Sequence, residues 1–206
     1  MLSNEREYRN MEFRVLTGDD GAEETYTVEG YASTFTKYPL MEIDGVEYYE
    51  QIDRRAFDGA DFSDVVFRID HEGMVYARAS AGTVSVDIDD NGLHQVTDLS
   101  KTELSRGIFE AIKAGNYPQM SFAFRVGEDD FDMDTRTRTI NRIDKVYDIS
   151  PVTWPANPDT ELHVRAYLDG AIKAAEAERL QREEMERRDS ERRKKLKKKI
   201  MEVMEK

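Results

Sequence analysis

With 206 residues, the chain has room for one domain and an appendage, or at most two small domains. Charged residues make up 35% of it, no run approaches the roughly 20 apolar residues of a spanning helix, and there is no cysteine; this composition excludes helical membrane proteins, disulfides, thiolate nucleophiles and cysteine zinc sites. The net charge of −13 conceals a division, because residues 165–206 hold 14 basic and 10 acidic side chains while residues 1–164 hold 16 and 33, so the body is not a nucleic-acid-binding domain by its overall field.

Residues 1–10 are polar and charged, unlike a signal peptide, and are expected to be disordered in a protein of the cytoplasm. Period-two alternation predicts short strands over 12–16, 26–32, 75–79, 83–88 and 92–99. Asp89-Asp90-Asn91-Gly92 interrupts them as a hairpin turn does, since Asn-Gly tolerates positive φ. Asp87 to Gly92 also fits the first half of a calcium loop, but position twelve is Asp98 and the flanks read as strands, so no metal site is expected. Ser100-Lys101-Thr102-Glu103 matches a capping box; Leu104, Ile108, Phe109 and Ile112 follow on one helical face, and Gly115 terminates it. Strands are predicted again over 120–126, 137–143 and 146–154, with the acidic run 128–134 as a solvated loop. A charged helix is expected from about 166 to the end. Leu168 and Ile172 stand near its start, and Leu196, Ile200, Val203 and Met204 form a narrow terminal stripe. This pattern implies an α+β domain over 11–165, built on a closed or nearly closed antiparallel β-barrel with flanking helices, followed by a tail over 166–206.

Three segments are candidates to carry chemistry, although each taken alone also reads as ordinary strand. Among the three histidines, His94 lies in an alternating strand and His163 precedes the tail, and the three do not have zinc spacing. His71 differs, because it follows the apolar run 65–69 and so sits where a rigid strand end meets a cleft. Ser121 opens an aromatic-rich strand, sharing a face with Ala123 opposite Phe122 and Phe124; no Gly-x-Ser-x-Gly elbow surrounds it. Asp148 precedes Ser150-Pro151-Val152 and is placed to orient a histidine.

Together these segments resemble the prohead maturation proteases of tailed bacteriophages, a family distantly similar to the herpesvirus assemblins. The resemblance runs from Gly30-Tyr31-Ala32 through Ala56-Phe57, the His71 segment, Gly82-Thr83 and Gly92-Leu93. It continues to Met120-Ser121-Phe122-Ala123-Phe124 and to Ser150-Pro151-Val152 with Pro155-Ala156-Asn157. Arg55 and Ala77 stand where a glycine often occurs.

The resemblance implies a serine endopeptidase with an assemblin-like barrel and no cofactor or metal. Ser121 would be the nucleophile, His71 its base, and Asp148, with Asp144 in reserve, the acid. Arg125, Arg138 and Arg142 are candidates to assist the oxyanion, although backbone N–H groups would serve as well. The implied substrates are the scaffold or the major capsid protein, and the enzyme itself, inside the procapsid in the host cytoplasm. No membrane or specific nucleic acid is implied, and a homo-oligomer is open. The tail suits contact with scaffold or a self-cleavage region. The alternative is a catalytically silent internal assembly protein of the same fold.

Overall fold

Alternating apolar and polar segments pair into two separate sheets. The structure, a computed structural model, describes residues 6–11, 13–16, 25–153 and 158–204, with backbone alone for 10–11, 13–16, 158–164, 166–167 and 196–204. In chain order the elements are β1 (Glu7–Met11), β2 (Phe13–Leu16), β3 (Thr27–Thr34), β4 (Tyr38–Ile43), β5 (Val46–Ile52), β6 (Val66–Ile69) and β7 (Glu72–Arg78). They continue with β8 (Val84–Ile88), β9 (Gly92–Asp98), α1 (Glu103–Lys113), β10 (Gln119–Asp132), β11 (Thr137–Val152) and α2 (Pro158–Met204).

The β10–β11 hairpin is the axis of the first sheet. β1 pairs with β10 on one side, and the order continues through β11 to β5 and β4. β11 is too long for one neighbour. Its first residues run parallel to β5, with Thr137 opposite Tyr49, and its last run parallel to β6, with Asp148 opposite Val66. β6 and β7 then form an antiparallel hairpin. The second sheet has the order β2-β3-β9-β8.

The fold is therefore α+β, and it differs from the expected antiparallel barrel in two ways. Among the described residues neither sheet closes on itself, and β11 has parallel partners. The physical reason is the length of β11: its two halves take different neighbours, so the sheet forks instead of closing. Register shifts after Ala123, Arg125, Val126 and Glu128 let the long hairpin bend. They also carry β10 through the acidic run to Asp132, where a solvated loop was expected. Asp132 receives the Asp134 N–H at 2.8 Å and the Thr135 hydroxyl at 2.9 Å, which builds the turn.

Three strands were not anticipated. β1 lies in the segment expected to be disordered. β4 and β5 carry charges that mask their alternation. Glu50 of β5 is wholly buried, as are Arg9 and Arg138 to within a few per cent. Buried charges require partners. Arg9 Nη2 donates to Glu50 at 2.6 Å, and Arg138 Nη1 donates to Glu50 at 3.1 Å and to Glu7 at 2.6 Å. Tyr38 also donates to Glu50. This cluster ties β1 to β5 and β11.

α1 begins two residues later than the capping box suggested. Thr102 is the N-cap, accepting from the Ser105 N–H at 3.0 Å. The buried stripe is Ser105, Phe109 and Ile112, which leaves Leu104 exposed. The helix ends as expected at Gly115, whose φ is +84°; its N–H donates to Ile112, and that of Asn116 to Ala111. Gly92 opens β9 where a Cβ would collide with the Ser33 carbonyl. One core joins Phe67, Leu93, Phe109, Phe122 and Phe124.

The chain divides into two compact units, Met1–Leu162 and His163–Lys206. In the second, residues 176–195 are all exposed, Met185 among them. Among the described residues no helix is long and apolar enough to cross a membrane. The side chains of the terminal stripe 196–204 and of His163, and the expected strand end at Trp154, lie outside the described residues.

Candidate active site

Strand alternation puts Met120, Phe122 and Phe124 on one face of β10 and Ser121 and Ala123 on the other. Across the ladder, Ser121 stands opposite Ser150 and Ala123 opposite Asp148. Opposed residues share a face, so these four side chains make a square in which Ser121 and Asp148 occupy a diagonal. Diagonal neighbours are about 7–8 Å apart, too far for direct contact but right for a bridging ring. Ala123 and Ser150, on the other diagonal, are small enough to leave room for it.

His71 supplies the ring. Asp70 and His71 form the two-residue turn between β6 and β7, with φ of +47° and +60°. Both lie in the left-handed region that two-residue hairpins of the I′ type require, although Asn-Gly is the usual occupant. Such a conformation costs a non-glycine residue on the order of 1 kcal/mol or more, and surrounding contacts must hold it. They do. The Asp70 N–H donates to the Pro151 carbonyl at 3.0 Å, and its carboxylate accepts from the Thr153 N–H and hydroxyl at 2.7 Å each. Because β6 runs parallel to the end of β11, the turn arrives beside Ser150 and hence beside Ser121.

The imidazole makes both bonds of the bridge. Nδ1 lies 2.6 Å from Asp148 Oδ1, and Nε2 lies 2.8 Å from Ser121 Oγ. With Nδ1 as donor, Nε2 is the acceptor for the serine proton. Ser121 and Asp148 are each 1% exposed, and the His71 side chain 10%. The Tyr8 ring packs on the imidazole with centroids 4.4 Å apart. Burial, and then the negative charge of Asp148, push the Tyr8 hydroxyl above its ordinary value. The arrangement has the parts needed to deprotonate a serine as it attacks a carbonyl.

The other sequence candidates are placed elsewhere. Asp144 faces Arg142 and lies 3.5 Å from Arg125 instead of meeting His71. Arg142 also donates to the Gly127 carbonyl at 2.8 Å, and Arg138 belongs to the buried cluster with Glu7, Glu50 and Asp129. These three arginines are thus engaged by carboxylates other than Asp148. His94 meets Glu29 at 3.0 Å on the second sheet. Asp89 Oδ1 accepts the N–H groups of Asn91 and Gly92 at 2.7 and 3.1 Å, so the resemblance to a calcium loop resolves into turn hydrogen bonds. No group of three His, Asp or Glu able to hold a metal occurs among the described residues. Sequence reasoning did not single out Asp70 or Tyr8; the Asp-His pair at an abrupt strand end was the available signal for Asp70.

The family model described as caudovirus prohead serine protease matches residues 11–172. No curated protein and no solved structure matches the chain.

Proposed function

This chain belongs to the caudovirus prohead serine protease family, and from that premise we propose that it is a serine endopeptidase using Ser121, His71 and Asp148. It acts inside the immature procapsid on segments of the capsid or scaffold protein, and on itself. The observation that carries this reading is the unbroken hydrogen-bonded line from Asp148 through His71 to Ser121.

His71 Nε2 takes the Oγ proton as Ser121 attacks the scissile carbonyl, and the imidazolium is held by Asp148. The tetrahedral intermediate collapses, Nε2 gives its proton to the leaving amine, and an acyl-Ser121 ester remains. Water, deprotonated by the same nitrogen, hydrolyses that ester and restores the hydroxyl.

A silent assembly protein of the same fold has no need for a buried carboxylate aimed at an imidazole, since burying that charge is costly. The tail serves recruitment: its basic excess and its terminal apolar stripe in the sequence suit pairing with a scaffold helix.

The test is co-expression with the capsid precursor. Wild-type protein should trim the precursor and react with a fluorophosphonate probe, and Ser121→Ala should do neither while remaining folded. Unchanged processing by a verified Ser121→Ala protein would end the assignment.

A further inference from the structure

We propose that Ser150 is a positioning residue for this reaction, its hydroxyl fixing the Asp148 carboxylate in the orientation that holds His71. Its effect on rate rests on the endopeptidase reading; its hold on the carboxylate does not.

Ser150 Oγ donates to Asp148 Oδ1 at 2.6 Å, the same oxygen that meets His71 Nδ1 at 2.6 Å. Ser150 is wholly buried. Asp148 Oδ2 is buried too and receives no hydrogen bond from the described residues. The terminal torsion of an aspartate is broad, so the carboxylate turns with little resistance unless donors fix it. Here both donors converge on Oδ1, and Ser150 is the one that does not belong to the imidazole. Without it, the only bond from the described residues that orients the carboxylate would be the one the carboxylate is meant to orient.

The choice of acceptor also points to this role. A buried strand serine commonly satisfies itself on a nearby main-chain group, whereas Ser150 adds its hydrogen bond to a charged oxygen, where such bonds are stronger. The ladder makes this possible. Ser150 lies two residues beyond Asp148 on the same face, and directly opposite Ser121. One cross-strand position therefore carries the nucleophile on β10 and the group that steadies its acid on β11.

The experiment compares wild type, Ser150→Ala and Ser150→Thr by peptide hydrolysis and by NMR of the His71 Nδ1–H proton. Folding is checked by circular dichroism. We expect Ser150→Ala to lower kcat roughly 10- to 100-fold with KM nearly unchanged. Its Nδ1–H signal should broaden or vanish, and Ser150→Thr, which keeps the hydroxyl, should recover both. If Ser150→Ala does not fold, Ser150→Cys, a near-isostere with a weak donor, takes its place. A wild-type signal in the folded variant overturns the proposal. So does a rise in KM at constant kcat, which would put Ser150 on the substrate. If wild type cleaves nothing but the signal is lost in Ser150→Ala and restored in Ser150→Thr, the endopeptidase reading fails and the positioning role stands.

Discussion

Asp70 grips Thr153 twice, accepting its N–H and its hydroxyl at 2.7 Å each. This holds the turn that carries His71 against the end of β11. Asp70→Ala should release the turn, costing about 1–2 kcal/mol of stability and roughly tenfold or more in kcat. Asp70→Asn keeps a side-chain acceptor and tolerance for positive φ, so it should retain most of both. Thermal melts and peptide kinetics on the two variants decide the matter. A lowered Tm with wild-type kcat in Asp70→Ala would make the grip purely structural.

Asp148 and Asp144 should part company on substitution. Asp148→Asn removes the negative charge that holds the His71 imidazolium and adds an amide N–H2 that favours the wrong tautomer when it faces Nδ1, and by analogy with other triads the rate should fall about 10⁴-fold with the fold intact. Asp144→Asn should leave the rate within about twofold, since Asp144 faces Arg142 and Arg125. Single-turnover cleavage of one peptide by both variants separates these outcomes; a dead Asp144→Asn beside an active Asp148→Asn would reverse the assignment.

Spacing and periodicity singled out His71, Ser121 and Asp148 one at a time, and only the family resemblance grouped them. His71 and Asp148 are 77 positions apart, and only the parallel pairing of β6 with β11 brings them together. No local pattern announces that pairing, because the strand reading treated 137–143 and 146–154 as separate segments of an antiparallel sheet. β5 was missed for a related reason: its most buried side chain is Glu50, satisfied by partners on β1, β4 and β11 that the sequence does not place beside it. The strands around Asp89 and the helix end at Gly115 were legible, since their turn chemistry lies within a few residues.

Glu7 should make stability depend on acid pH. Burial alone would raise its carboxyl, but the Arg138 hydrogen bond and the charges of Arg9 and Arg138 outweigh it and hold the pKa at about 2 against an ordinary 4.5. A depressed carboxylate stabilises fully above its unfolded pKa, and that stability is lost as pH falls through the folded one. The contribution is about 3 kcal/mol, present above about pH 4.5 and gone near pH 2. Urea unfolding across this window should show the loss in wild type. The slope should flatten in Glu7→Gln, which should be less stable than wild type at neutral pH. Equal slopes in the two proteins would mean that Glu7 is not the group being titrated.

The tail should be separable from the chemistry. Residues 176–195 are exposed without exception, and the family match ends at 172. The described contacts of that stretch are helix-surface pairs such as Arg188 with Glu184 at 2.7 Å, each worth only about 0.2–0.5 kcal/mol. A stop after Ala175 thus removes almost no buried surface among the described side chains, and the proposed triad, with Asp70 and Ser150, lies upstream of it in sequence. The shortened protein should fold, keep wild-type kcat on a short peptide and react normally with a serine-directed probe. Delivery should suffer, because a basic, exposed helix ending in Leu196, Ile200 and Val203 is what would pair with a scaffold helix. Purified procapsids should then contain several-fold less protease, and replacing those three residues by serine in the full-length chain should reproduce the defect without shortening it. Normal packaging of both forms would remove the recruitment role, whereas loss of peptide activity in a folded, shortened protein would mean that the tail helps to build the site.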